Sequence, residues 1–345
     1  MFLYICQMEG GEPMQTSILW EGGLPSKEEM EKMKQESKVK KPLKIWQGVL
    51  TLLVSAIILF VAAPILLSPF GMYGSLLGEL LLLGVAVGAV LLFRGDLREV
   101  FPLKKPHFSG IAGTILIWVG TFLCEMVLLL ILSLFFPEQI LEVNDGLSSS
   151  IAAGPFLLSF VTVAISPAIC EEALFRGTFV SSLRGRLGKW AVLLISGCIF
   201  GMFHGDVFRF FPTAIGGVMM GYLLWETGNM CYNMLFHFIN NALPVILLYA
   251  MQGVYSRMEL YMEVQTLAQG TQDMLPAVGM YLMMASAAPG AIYIGNYLIH
   301  AKTPGYRTKL FPSGKPGLVI GLILGSLFLF AAGLLVFLIS IVRML

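Results

Sequence analysis

Charged residues are scarce in this sequence: Asp, Glu, Lys and Arg make up 12% of its 345 residues, and the formal net charge is +1. So few charged residues do not indicate the basic surface with which proteins bind nucleic acid. Hydrophobic residues make up 57% of the chain and gather into runs of about 20, the length that crosses the hydrocarbon core of a bilayer. The composition therefore predicts a polytopic membrane protein without a nucleic-acid partner.

Cysteine is also rare, and its pattern is not that of a disulfide or metal framework. The five cysteines are an odd number and none has CxxC spacing. Most of them lie in or beside apolar segments, where cysteine behaves as a small hydrophobic residue. We predict neither a disulfide framework nor a zinc knuckle.

Nine apolar segments are long enough to be candidate membrane spans. They lie roughly at 45–68, 72–93, 109–136, 151–183, 190–206, 211–227, 229–250, 274–299 and 317–342. Because these runs lack the alternation of barrel strands, all of them are predicted to be helices. The expected fold is an all-α membrane domain over 45–345, a bundle of about eight or nine transmembrane helices, preceded by a polar cytoplasmic tail over 1–44.

The distribution of the 22 Lys and Arg residues predicts the orientation of the bundle. Nineteen of them fall in the tail, in 94–105, in 176–189 and in 302–315, all on one side of the predicted membrane. By the positive-inside rule this side and the amino terminus are cytoplasmic. The segments "FPEQILEVNDGLSSS" and "MQGVYSRMELYMEVQTLAQGTQD" are then predicted to be external loops, the second with an amphipathic helix.

Four polar residues are predicted to meet at one depth in the membrane. Glu171 and His204 are nearly equidistant from the basic turn at 184–189, so an antiparallel hairpin brings them to the same level, about 20 Å from the turn. His237 and Asn241 are four residues apart, share one helix face, and lie roughly 12 to 18 Å into their span. Ionisable groups inside a membrane indicate a functional site.

The acidic pair in "ICEEALFRG" divides into two roles. Glu172 and Arg176 have the i, i+4 spacing of a charge pair along one helix face. We predict that this pair braces the helix or contacts substrate, while Glu171 points toward the interior of the bundle. From the sequence, Glu172→Ala should lower peptidase activity less than Glu171→Ala does.

Three motifs on successive segments resemble those of a known family. They are "EEALFR" (171–176), "FGMFH" (200–204) and "HFINN" (237–241), which read as EExxxR, FxxxH and HxxxN. In this order they resemble the CPBP intramembrane proteases, the CAAX-protease and bacteriocin-processing (Abi) family that includes the type II CAAX prenyl endopeptidases. The resemblance covers roughly residues 150–250.

This resemblance implies an intramembrane endopeptidase that hydrolyses a peptide bond of a membrane-associated protein or peptide. Carried over to this chain, Glu171 and His204 activate water, and His237 with Asn241 stabilises the oxyanion. Glu172, Arg176 and Phe200 complete the motifs as supporting residues. We expect these groups around one cavity that opens toward the basic, cytoplasmic loops, in a bacterial cell membrane, with a role such as leader-peptide or bacteriocin processing.

A zinc enzyme is the chemical alternative, since Glu171, His204 and His237 have the ligand count of a catalytic zinc site. The sequence has no HExxH motif and no obvious carboxylate to orient both histidines, and Asn241 suits an oxyanion site better than a metal. We therefore expect a metal-independent glutamate mechanism without a cofactor.

Two other functional classes remain open from the sequence. A transporter or ion-coupled carrier could use Glu79, Glu125, Glu171 and the histidines as a relay, although the chain has no internal repeat and no inverted pair of broken helices. A catalytically inactive relative could bind peptides or act as a membrane scaffold. Substitution of Glu171 separates these classes by what is lost: proteolysis, flux or neither.

Overall fold

The structure, a computed structural model, describes residues 42–266, 275–303, 306, 309–311 and 316–344, with side chains in these ranges except 252–266 and 344. Residues 1–41 of the predicted tail lie outside these ranges. Within the described ranges the regular elements are all helical, and eight helices are long and apolar enough to cross a membrane. The predicted all-α polytopic fold is confirmed.

The described part of the chain forms ten helices, which we number in chain order. They are α1 (Ile45–Leu66), α2 (Gly71–Leu92), α3 (Phe108–Phe135), α4 (Pro137–Ala152), α5 (Phe156–Leu183), α6 (Lys189–Met202), α7 (Val207–Thr227), α8 (Met230–Thr266), α9 (Leu275–Ile299) and α10 (Pro316–Met344). A one-turn helix, Leu97–Val100, lies between α2 and α3, and α9 consists of two segments, Leu275–Ala285 and Ala288–Ile299.

One of the two predicted loops was wrong, and the helix predicted in the other is a continuation of α8. The segment "FPEQILEVNDGLSSS" is mostly α4, which begins at Pro137, and the next span begins at Phe156, not at 151. Ile140 and Ile151 of α4 are buried, so a one-sided apolar stripe among acidic residues determines this helix, and a hydropathy average misses it. The second predicted loop is helical as far as Thr266, because α8 continues beyond its apolar part.

Helix α6 ends earlier than the sequence predicted. It has 14 residues, about 21 Å at the rise of an α-helix, whereas a bilayer core is about 30 Å thick. The turn that follows ends at Asp206, whose carboxylate accepts hydrogen bonds from the backbone N–H groups of Phe208 and Arg209 and so caps α7. The turn that carries His204 therefore lies inside the thickness of the bundle.

Helix α5 lies at the centre of the molecule. It packs against α1, α2 and α8, and 56% of its most apolar window is buried inside the protein. Two π-helical stretches, Phe160–Ile165 and Ala173–Phe179, flank the α-helical turn that ends at Glu172. Such departures from α-helical geometry are frequent at functional sites.

Candidate active site

A cavity of about 720 Å³ lies beside the middle of α5. Aromatic and aliphatic side chains form most of its wall, including Phe60, Phe122 and Phe203. The polar wall residues are Glu125, Asn144, Glu171, His204, Arg209, Thr213, Asn240 and Asn241. A smaller pocket of about 70 Å³ shares His204 and Asn241 with this cavity and is also lined by His237. The four residues predicted to be catalytic thus line two pockets with common walls.

The cavity lies in the half of the bundle away from the basic loops, so the predicted opening toward those loops was wrong. Its wall comes from the second halves of α1, α3 and the apolar part of α8, from α4, and from the turn around His204. The basic turn at 184–188 is at the opposite end of α5 and α6. Depth arguments from a hairpin place residues at one level and do not show which end widens.

Glu172 and Arg176 form the predicted pair, but deep in the bundle and not near its surface. Arg176 Nη1 donates to Glu172 Oε1 at 2.7 Å, and both side chains are 0% exposed. Asn233 Nδ2 donates to Glu172 Oε2 at 2.5 Å, and Arg176 Nη2 donates to the carbonyl oxygen of Gly217 at 2.9 Å. Three donors, from Arg176, Asn233 and His237, converge on Glu172 and favour its ionised form. The pair therefore ties α5 to α7 and α8.

Phe200, the first residue of the FxxxH motif, packs at the centre of this network. The guanidinium carbon of Arg176 lies 4.3 Å from the centre of its ring, within the range of a cation–π interaction. Its ring also contacts the rings of His204 and His237 edge-on, with centroids 5.0 and 5.6 Å away. Phe200 thus fixes the positions of both histidines relative to α5.

Hydrogen bonds assign the tautomer of each histidine. His237 Nδ1 lies 3.0 Å from Glu172 Oε1, and His204 Nδ1 lies 2.9 Å from the carbonyl oxygen of Phe200. These oxygens only accept, so each Nδ1 carries a proton and each Nε2 is left for the site.

Glu171 points away from the Glu172–Arg176 pair, as predicted. Its carboxylate lines the larger cavity, and Oε2 lies 3.7 Å from His237 Nε2. Asn241 donates one amide hydrogen from Nδ2 to the carbonyl oxygen of Val163 at 3.0 Å, which leaves its second amide hydrogen for the cavity. The structure therefore brings all four predicted catalytic residues together, and their chemical roles remain predictions.

The sequence did not assign three further polar residues near the site. Asn233 is four residues before His237 and shares its helix face, so spacing alone could have found it. Arg209 lines the cavity, and its positive charge acts on Glu171. Glu79 of α2 approaches Glu171 closely enough for a side-chain hydrogen bond. Since Glu79 is alone in its span, no spacing in the sequence links it to Glu171.

The predicted zinc set can be compared with these positions. Within the described ranges, no three His, Cys, Asp or Glu side chains are close enough together to hold a metal ion, and this includes Glu171, His204 and His237. A carboxylate, Glu172, accepts from His237 Nδ1, whereas His204 Nδ1 faces a backbone carbonyl oxygen, so one of the two histidines is oriented by a carboxylate. The donor positions do not fit a zinc ion, and the question of a cofactor stays a prediction.

Comparison with known proteins bears on the same part of the chain. Residues 153–243 match the family model described as "Type II CAAX prenyl endopeptidase Rce1-like". The matched segment contains all three motifs and runs from the turn before α5 into α8. The resemblance seen in the motifs is confirmed for this segment, and the match supports an intramembrane protease of the CAAX type.

Two bacterial proteins are similar to the chain. One is the uncharacterized protein YpbD of Bacillus subtilis (strain 168), 25% identical over 166 residues that make up 48% of this chain and 82% of the relative. The other is an uncharacterized protein of Mycoplasma capricolum, 33% identical over 98 residues, which are 27% of this chain and 28% of the relative. Neither protein has a name that gives an activity. No solved structure matches the chain significantly.

Proposed function

We propose that this protein is an intramembrane endopeptidase that cleaves membrane-associated peptides by a glutamate mechanism. The observation that carries the proposal is the shared cavity wall: Glu171 and His204 face one apolar space that is large enough for several peptide residues. Beside this space Glu172 is bonded to Arg176, Asn233 and His237. Of the two adjacent glutamates, Glu171 is thus the one whose carboxylate faces the cavity.

In the proposed reaction a water molecule lies between Glu171 and His204. Glu171 removes a proton as the water oxygen attacks the carbonyl carbon of the scissile bond, and His204 Nε2, which has a free lone pair, holds the water in line. The proton held by Glu171 then passes to the leaving nitrogen when the carbon–nitrogen bond breaks. Each step conserves protons within this pair.

His237 and Asn241 are proposed to stabilise the negative oxygen of the tetrahedral intermediate. Asn241 supplies its second amide hydrogen. Glu172 holds His237 at Nδ1, so the ring is fixed with Nε2 toward the site, 3.7 Å from Glu171 Oε2, and Nε2 is the nitrogen proposed to approach the oxyanion. Donors of this kind contribute about 3 kcal/mol each in a site shielded from water.

The side of the membrane from which substrate enters follows from the position of the cavity. The cavity lies in the half of the bundle away from the basic loops. By the positive-inside rule that half is external, with the amino terminus of the chain cytoplasmic. We therefore propose substrates that are exposed on the external face of a bacterial membrane, such as exported peptides or leader segments, and not cytosolic prenylated proteins.

Comparing cells tests the proposed function. Membrane peptides are identified by mass spectrometry in cells that carry the wild type, Glu171→Gln, or the control Glu138→Gln, which alters an exposed carboxylate in the first turn of α4. Full-length precursors should accumulate only with Glu171→Gln. An identical peptide pattern in all three strains would contradict the proposal.

The metal-independent mechanism has its own test. Purified protein is dialysed against a strong zinc chelator, its metal content is measured, and cleavage of an accumulated peptide is followed. The expected result is unchanged activity at less than stoichiometric metal. Activity that is lost on chelation and restored by zinc would replace the glutamate mechanism with a metal mechanism.

A further inference from the structure

We infer that Glu79 of α2 is a positioning residue for Glu171, a neutral carboxylic acid that donates a hydrogen bond to the catalytic carboxylate. This inference rests on the proposed function for its catalytic meaning. Glu79 lies well outside the segment matched by the family model, residues 153–243, so that match assigns it no role.

The inference begins with the contact between the two carboxyl groups. Glu79 is within side-chain hydrogen-bond reach of Glu171. The Oε2 atom of each residue is buried and has no donor directed at it among the described residues, so a proton on one of the two carboxyl groups would satisfy both. A hydrogen bond between two carboxyl groups requires a proton on one of them, because an ionised carboxylate only accepts. Two adjacent carboxylates in a water-poor site also repel each other strongly. The pair therefore shares one proton.

The neighbouring charges decide which residue is ionised. Arg176 and Arg209 attract negative charge on Glu171, and they outnumber the opposing carboxylate of Glu172. Among the described residues, the charged group that acts on Glu79 is Glu171 itself. The negative charge is thus more stable on Glu171, and the proton belongs to Glu79. This distribution is the one that a general base requires.

Packing holds Glu79 in place. Helix α2 lies against α5, and Leu82, three residues after Glu79 and on the same face, is 2% exposed and lines the cavity. Near the start of the two helices, Met72 packs against Ser159, whose hydroxyl lies 3.7 Å from the sulfur atom. Because α2 is fixed to α5 on both sides of Glu79, its carboxyl group has a defined position beside Glu171.

The consequence for the reaction is geometric. The hydrogen bond from Glu79 occupies one side of the Glu171 carboxylate and fixes its rotamer. The remaining side is free to face the cavity and the attacking water. A single misplaced base of this kind lowers the rate without preventing substrate from binding.

Substitutions that separate the hydrogen bond from the charge test this role. Glu79→Gln keeps a donor and cannot ionise, Glu79→Leu removes the donor, and Leu80→Ala is a control on the lipid-facing side of the same helix, where Leu80 is 51% exposed. With a peptide that accumulates in Glu171→Gln cells as substrate, Glu79→Leu should lower kcat about 10- to 100-fold at nearly constant KM. Glu79→Gln and Leu80→Ala should stay within about threefold of the wild type. A Glu79→Leu variant with full activity, or a Glu79→Gln variant as inactive as Glu79→Leu, would overturn the inference.

A second measurement does not depend on activity. The infrared spectrum of the purified protein should contain a carbonyl band of a protonated carboxylic acid that is lost in Glu79→Gln, while Glu138→Gln, which alters an exposed carboxylate, leaves the spectrum in this region unchanged. If the band is present and no peptide is cleaved, the proton-sharing pair stands and the proposed peptidase function fails. If Glu79→Gln leaves the spectrum unchanged, the pair itself is refuted.

Discussion

Helices α5 and α10 are both spans of about 28 residues, yet they differ in every other respect. The mean hydropathy of the most apolar window is 1.6 in α5 and 2.8 in α10, while 56% of that window is buried in α5 and 6% in α10. The less apolar helix is the buried one, the reverse of the rule for soluble proteins. In a membrane the lipid takes the place of an apolar interior, so polar side chains find their partners inside the bundle.

The buried ion pair of α5 should show the largest effect. Arg176→Met leaves Glu172 charged and without its closest partner, and Glu172→Ala does the same to Arg176, so each should lower the free energy of unfolding by about 3–5 kcal/mol. The protein would then fail to accumulate in membranes. Size-exclusion chromatography of a fluorescent fusion measures this, with Arg98→Met, at an exposed position, as the control.

This expectation reverses the one drawn from the sequence, in which Glu172→Ala is milder than Glu171→Ala. Glu171→Gln should leave a folded, inactive protein, whereas Glu172→Ala should leave little folded protein. A stable Glu172→Ala variant with high activity would mean that the pair is not needed for the fold, and would weaken the contrast between α5 and α10.

Substitution of His204 should have the next largest effect, and this effect should be confined to catalysis. His204→Gln should lower kcat by about 100- to 10,000-fold, the range for loss of a positioned acid–base group, and leave the thermal midpoint nearly unchanged. A parallel fall in thermal stability would show that the ring serves packing instead, since it lies edge-on to Phe200.

Asn233 should show a smaller effect of both kinds. Asn233→Ala removes one of the three donors to Glu172, which should cost about 1–3 kcal/mol of stability. It should also lower kcat about tenfold, because Glu172, the partner of His237, is then held less firmly. Thermal unfolding and steady-state kinetics measure the two effects. The control is Ser181→Ala, whose hydroxyl bonds the Thr178 carbonyl oxygen within its own helix. Equal stability and equal kcat for both variants would show that Asn233 does not support the position of Glu172.

How far the sequence predicts this molecule depends on how local each signal is. Long apolar runs predict the spanning helices, and motif spacing predicts which residues meet, because both depend on helix periodicity alone. Helix α4 was not predicted because its apolar stripe is narrow. The contact of Glu79 with Glu171 was not predicted because it joins helices far apart in the chain. The half of the bundle that contains the cavity was not predicted either, because it depends on how helices far apart in the chain pack together.

The smallest effect is expected where α10 meets α9. A Cβ atom at Gly333 would lie 2.6 Å from the backbone nitrogen of Met283 and 2.7 Å from the carbonyl oxygen of Gly279, so the two backbones touch there, as small residues allow in membranes. Gly333→Leu should force the helices apart and lower the thermal midpoint by a few degrees, since overpacking costs about 1–3 kcal/mol. Gly325→Leu is the matched control, because a Cβ atom there meets nothing within 4 Å. Peptide cleavage should stay within about twofold in both variants, since the cavity wall contains no residue of α9 or α10 among those described. A large loss of cleavage in Gly333→Leu alone would show that these peripheral helices act on the site, and that burial alone does not separate the catalytic part of this protein from the rest.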